Sequence, residues 1–146
     1  MEVTKVIGTS KIEVLQKFIF QCEEEEVTTN KEFGQQLEKR TKAFAVKMIQ
    51  LASRLPKNRE ADSIARQMVR SGTSVGANYR EANRAISRAD FRHIISICEK
   101  EASETQYWLE VIIEVGWLSA EAFKTDLDEC TQLLALFTSI HRSTKS

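Results

Sequence analysis

The chain has 146 residues, and its 21 lysines and arginines balance 21 aspartates and glutamates, so it suits one neutral domain with a single hydrophobic core. One proline and five glycines are too few for a loop-rich or many-stranded all-β fold, and no apolar run reaches the roughly 20 residues of a membrane span. Met1-Glu2-Val3-Thr4 starts polar, and Glu13, Gln16 and Lys17 interrupt the apolar stretch 12–20, so no secretory leader is expected and the cytoplasm is the expected compartment.

Residues 1–29 read as an extension. Ile12, Leu15, Phe18, Ile19 and Cys22 have the spacing of a short amphipathic helix, but Glu23 to Glu26 and the joint Val27-Thr28-Thr29 set them apart from the rest of the chain. Residues 30–142 are expected to form the domain proper, an all-α, antiparallel, up-and-down four-helix bundle. Its first helix is expected over 31–55, with Asn30 as N-cap and Phe33, Leu37, Phe44, Met48, Leu51 and Leu55 on its apolar face. Pro56 ends it, because proline disfavours helix at the residue before it.

Asn58 is expected to cap a second helix over 59–86. Gly72 and Gly76 each cost a helix about 1 kcal/mol against alanine. The apolar face nevertheless stays in phase through them, from Ala61, Ile64 and Met68 to Val75, Tyr79, Ala82 and Ile86. A break would scramble that phase, so the small residues are expected to admit a neighbouring backbone. Ser87-Arg88-Ala89-Asp90 resembles a capping box and opens a third helix over 88–115, with Phe91, Ile94, Cys98, Ala102, Thr105, Leu109 and Ile112 inward and Gly116 closing it. Ser119 caps a fourth helix over 120–141, whose seam is expected at Ala120, Phe123, Leu127, Cys130, Leu134 and Phe137. Joints this short make successive helices antiparallel.

Zero net charge conceals an asymmetry. Residues 54–92 hold nine basic side chains against four acidic, and residues 93–130 hold two against nine. Either the blocks neutralise each other across a helix pair, or the basic one faces an anionic partner. On the second helix, Arg59, Arg66, Arg70, Arg80 and Arg84 fall within roughly 40° of one line, opposite the apolar face. Arginine rather than lysine suits phosphate, because the planar guanidinium makes paired bonds and stacks on bases. The same side chains would equally serve salt bridges to the glutamates of the third helix or of another subunit.

Glu101 lies on or beside the apolar face of the third helix, where a carboxylate needs a partner. An arginine or Asn78 is the expected one, in a structural pair. Chemistry is otherwise sparse. Cys22, Cys98 and Cys130 form no CxxC pair, so neither a disulfide framework nor a zinc knuckle is expected. A di-iron bundle needs two Glu-x-x-His pairs, and only Asp90-x-x-His93 comes near one. No phosphate-cradling glycine loop and no nucleophile elbow is present, so neither metal nor cofactor is expected. Arg88-Ala89-Asp90-Phe91-Arg92-His93 matches the short arginine-to-histidine pattern of HEPN ribonucleases, in which the histidine handles a proton and the arginine the phosphate charge. That is the minor alternative to a non-enzymatic protein.

The stretch Gln67-Met68-Val69-Arg70-Ser71-Gly72-Thr73-Ser74-Val75-Gly76-Ala77-Asn78, with Glu104-Thr105-Gln106 and Trp108-Leu109-Glu110 in the next helix, resembles the 23S rRNA intervening-sequence-encoded four-helix-bundle family. The likeness covers about residues 34–141. It departs after Asn78, where Tyr79-Arg80-Glu81-Ala82 replaces the family's small-residue ending and adds an arginine. The resemblance implies an up-and-down bundle assembled as a ring-shaped homopentamer, with no enzymatic activity. Distant relatives include the accessory protein of diversity-generating retroelements, whose basic surface binds nucleic acid. Two functions are therefore expected to compete: RNA or DNA binding by the arginine stripe, and an oligomeric scaffold whose arginines pair with acidic helices of neighbouring subunits.

Overall fold

The computed structural model describes residues 29–145 and, ahead of them, Gln16 alone. Apart from Gln16, the residues of the expected helix between Ile12 and Cys22 therefore lie outside the described residues. The bundle has four helices: α1 Thr29–Ala52, α2 Arg59–Ala82, α3 Arg88–Val115 and α4 Ala120–Ser143. Among the described residues there is no strand, and no helix is long and apolar enough to cross a membrane.

Most boundaries follow local chemistry. Asn58 is extended and its side chain accepts from Ala61 N at 2.8 Å, satisfying one of the free donors at the start of α2. Ser87 does the same for Asp90 N at 3.0 Å, and Ser119 for Ala122 N at 3.1 Å. Gly116 ends α3 at φ 82°, a left-handed conformation that favours glycine. Two expectations need correction at α1. The helix already runs through Asn30, which sits in the first turn rather than at the cap. It also ends at Ala52, after which Arg54 N and Leu55 N donate to Leu51 O at 3.0 Å and Ala52 O at 3.3 Å in a tighter turn ahead of Pro56.

The end of α2 differs more. The helix stops at Ala82 instead of reaching Ile86, and Ile86 is 94% exposed rather than part of the apolar face. Asn83 locks the exit by donating from Nδ2 to Gly34 O at 3.3 Å and to Glu38 Oε1 at 2.9 Å on α1. From the other side, Asp90 Oδ2 accepts from Ile86 N at 3.2 Å, holding the turn against the start of α3.

The helices pack in sequence, α1 on α2, α2 on α3 and α3 on α4, while α1 and α4 meet less extensively. The arginine fork Arg40 helps close that last seam, with Nε 2.6 Å and Nη2 3.0 Å from the two oxygens of Glu129. The core joins Leu37, Met48, Met68, Val75, Leu109, Ile112, Phe123 and Phe137. Ile95, not Ile94, is the fully buried residue of that turn of α3. On α4 the buried seam runs through Phe123, Asp126, Cys130, Leu133 and Phe137, with Leu127 and Leu134 at its flank and Ala120 exposed.

Both interior glycines of α2 lie under α1. A Cβ on Gly72 would meet Met48 Cγ at 2.5 Å, and one on Gly76 would meet the Thr41 carbonyl oxygen at 3.1 Å. The expectation of close backbone approach thus holds most directly at Gly76, where the obstacle is main chain and cannot swing aside. Gly76→Val is expected to destabilise the fold by about 2–3 kcal/mol through overpacking, while exposed Ala77→Val stays within about 0.5 kcal/mol apart from its propensity; urea unfolding of both variants measures the contrast.

Candidate nucleic-acid interface

The core face of α2 buries Ala61, Met68, Val75, Tyr79 and Ala82 between α1 and α3. The opposite face carries Arg59, Arg66, Thr73, Ala77 and Arg80, with the arginines exposed. The structure separates the five arginines expected in one stripe into four groups. Arg70 leans onto α3, where Nη1 lies 3.3 Å from Glu101 Oε2 and Nη2 pairs with Glu104 Oε1. Arg80 leans onto α1, with Nε 3.9 Å from Glu38 Oε2. Arg59 and Arg66 face outward, and neither forms an ion pair with a described residue; Arg66 Nε donates a long 3.3 Å bond to the Asp62 carbonyl of its own helix. Arg84 is exposed as well but lies in the turn beyond α2, not on the helical line.

Glu101 and Asn78 do not bond each other. The Glu101 side chain is only 15% exposed and takes Arg70 as its partner, while Asn78 Nδ2 donates to Ser74 O at 2.8 Å along its own helix. Between them, Thr105 donates to Ser71 Oγ at 2.9 Å, and Ser71 in turn to Gln67 O at 2.9 Å. That buried hydroxyl pair sets the α2–α3 register that brings Arg70 opposite its two glutamates. The sequence alone does not mark Glu104 as a partner for Arg70. Its carboxylate also accepts from Trp108 Nε1 at 3.2 Å.

Little here supports covalent chemistry. Cys98 and Cys130 are buried, and desolvation pushes each thiol up to about 12, so neither supplies thiolate near neutrality. His93 is exposed on α3, while Arg88 reaches back to α4 with Nη2 3.5 Å from Ser143 O. The histidine that does meet a carboxylate is His141, whose Nδ1 lies 2.8 Å from Glu99 Oε2, with Thr138 donating to Glu99 Oε1 at 2.9 Å. Among the described residues no three His, Cys, Asp or Glu side chains gather as metal ligands would.

The Arg70 cluster has a pH signature. The hydrogen bond from Arg70 holds the Glu104 carboxyl below the ordinary carboxylate range, desolvation opposes it, and Trp108 adds to it. A depressed pKa gives stability that is present above the unfolded value and lost as pH falls through the folded one. Arg70→Ala is therefore expected to lower stability at neutral pH by roughly 0.5–1 kcal/mol, a small figure because the guanidinium is half exposed and screened. The difference from wild type should shrink once the Glu104 carboxyl is protonated, as measured by urea unfolding at neutral and strongly acid pH.

The profile of the 23S rRNA-intervening sequence protein family matches residues 34–139, which spans nearly all of the bundle. No curated protein matches the chain. A crystal structure of a protein of unknown function from the S23 ribosomal protein family of Bacteroides thetaiotaomicron is similar at 37% identity and a TM-score of 0.67, over 72% of this chain and 97% of that one. The solved neighbour shares the fold. The chain belongs to the 23S rRNA-intervening sequence protein family.

Proposed function

We propose that this is a non-enzymatic, cytoplasmic protein that assembles as a homo-oligomer and binds nucleic acid, RNA first, through the outward face of α2. One observation carries this: Arg59 and Arg66 stand exposed on a single helix face without a carboxylate partner among the described residues. Seven residues apart, they are about 10 Å distant along the axis, a length that covers about three phosphates of one duplex strand. Each guanidinium can take a phosphate by paired bonds. The pentamer implied by family resemblance would repeat the face around a ring and multiply weak contacts.

A scaffold function has its own support. Glu110, Glu114, Glu121 and Asp128 are exposed along α3 and α4 without ion pairs among the described residues, so a neighbouring subunit's arginines would find partners there. The two functions respond differently to salt. Phosphate binding weakens steeply as counterions compete, whereas a mainly apolar subunit interface holds.

Arg59→Glu/Arg66→Glu is the discriminating variant, because neither position has an ion-pair partner to lose inside the described bundle and Arg66 gives up only a long bond within its own helix. It should retain the oligomeric mass of the wild type, measured by light scattering, while RNA affinity falls at least about tenfold and the salt slope decreases by about 2. Unchanged RNA affinity with an intact oligomer would sink the binding function, and dissociation of the oligomer would favour the scaffold. Cleavage of RNA by purified protein, abolished in His93→Ala, would overturn the non-enzymatic assignment.

A further inference from the structure

A cleft of 640 Å³ opens at the end of the bundle where α1 begins, α2 ends and α3 begins. Cations from three separate elements line it: Lys31 from the first turns of α1, Arg84 from the α2–α3 turn and Arg88 from the start of α3. The one carboxylate on its wall, Glu38, is already engaged by Asn83 Nδ2 at 2.9 Å on one oxygen and lies 3.9 Å from Arg80 Nε with the other. Asp90, nearby in sequence, has Oδ2 bound by Ile86 N. Three cations thus share the wall with one carboxylate; Arg88 Nη2 is itself held 3.5 Å from Ser143 O on α4, and the floor is tied down by the bond from Asn83 to Gly34 O.

The same cleft has an apolar side. Half-buried Phe91 lines it, and Ile86, 94% exposed, stands in the turn between Ala85 and Ser87, both of which are lining residues. A single exposed isoleucine is ordinary. At the rim of a cleft with lining cations and an aromatic side chain, it adds to the pairing that single-strand sites use, charge for the backbone and a flat or apolar platform for the base. The volume falls in the range of sites that enclose one small ligand and is far too small to enclose a duplex.

We propose that this cleft takes one unpaired nucleotide of a nucleic-acid strand, with its phosphate between Lys31 and Arg84 and its base against Phe91 in the cleft and Ile86 at its rim. The proposal rests on the nucleic-acid function above and gives that function a second point of contact, distinct from Arg59 and Arg66, together with a preference for unpaired strand. Lys31 and Ile86 belong to no core contact, so changing them leaves the bundle intact.

The test is fluorescence anisotropy on the full chain with a short oligouridine and a blunt RNA duplex of equal length, for wild type, Lys31→Glu, Ile86→Ser and Arg59→Glu/Arg66→Glu. Ile86→Ser is expected to weaken oligouridine binding about fivefold and leave duplex binding unchanged, as loss of a base platform should. Lys31→Glu should weaken oligouridine binding by a similar factor. If both single variants bind oligouridine as the wild type does while the double arginine variant loses it, the cleft is wrong and the nucleic-acid function stands. Failure of the wild type to bind either probe overturns both. Free uridine monophosphate binding as tightly as the oligouridine would assign the cleft to a small molecule and overturn the strand proposal.

Discussion

Between Thr41 and Gly76, and between Met48 and Gly72, α1 and α2 approach until a Cβ on either glycine would collide with the residue facing it. Bare backbone on one helix lets the other settle into contact at main-chain distance, where dispersion contacts are dense and there is no void to fill. This seam presses α2 between α1 and α3, with Ser71 and Thr105 joined on its other flank. Two sides of the helix are thereby committed, and only the third remains for solvent or a partner. That geometry decides which arginines are available. Arg80 is near enough to α1 to meet Glu38, Arg70 near enough to α3 to meet Glu101 and Glu104, and Arg59 and Arg66 are on neither flank.

How much of this was legible in the sequence depends on whether the controlling interaction is local. Caps are local, and Asn58, Ser87, Gly116 and Ser119 behave as their types and neighbours dictate. The unbroken phase through Gly72 and Gly76 was also readable, because a whole row of apolar positions had to agree. The exit of α2 was not. Ile86 keeps the apolar phase, but Asn83 finds its partners 45 and 49 residues away on α1, and no periodicity reports a bond of that span. On α4 the heptad favours Leu127 and Leu134 over Asp126 and Leu133, since a carboxylate counts against burial. The fold turns the helix enough to bury Asp126 at 8% exposure and Leu133 completely, leaving the two leucines half-buried against the same core.

The candidate interface was legible as a direction and not as a set of partners. Helical geometry places five arginines on one side of α2. Deciding which of them are neutralised needs the α2–α3 and α1–α2 registers, which are set by Ser71, Thr105 and the glycines rather than by charge. Glu101 could be marked as a residue in need of a cation, whereas Glu104 and Glu38 look like ordinary surface acids until tertiary structure brings Arg70 and Arg80 to them. Arg84 illustrates the opposite error, placed on a helical line by phase and carried off it by the turn.

A molecule with no net charge attracts polyanions only where its cancellation fails locally. At physiological ionic strength, exposed charges more than about 8 Å apart are largely screened from one another, so the overall balance matters less than each neighbourhood. In the middle of α2, cancellation succeeds: Arg70 is flanked by Glu101 and Glu104, and uncharged Thr73 and Ala77 occupy the outward line, while Arg80 in the last turn is met by Glu38. Basic charge is in excess at the two ends: Arg54, Lys57, Arg59 and Arg66 outnumber Glu60 and Asp62 at one, and Lys31, Arg84 and Arg88 outnumber Glu38 at the other. The 24 residues of α2 separate those ends by about 35 Å. On the proposed function, a strand engaging both would run along the helix and cross a neutral middle, and its affinity would come from two moderate contacts linked by the length of the ligand. On that reading short oligonucleotides would reach one end only, and a ligand long enough to span α2 would gain the second contact without any new one being built.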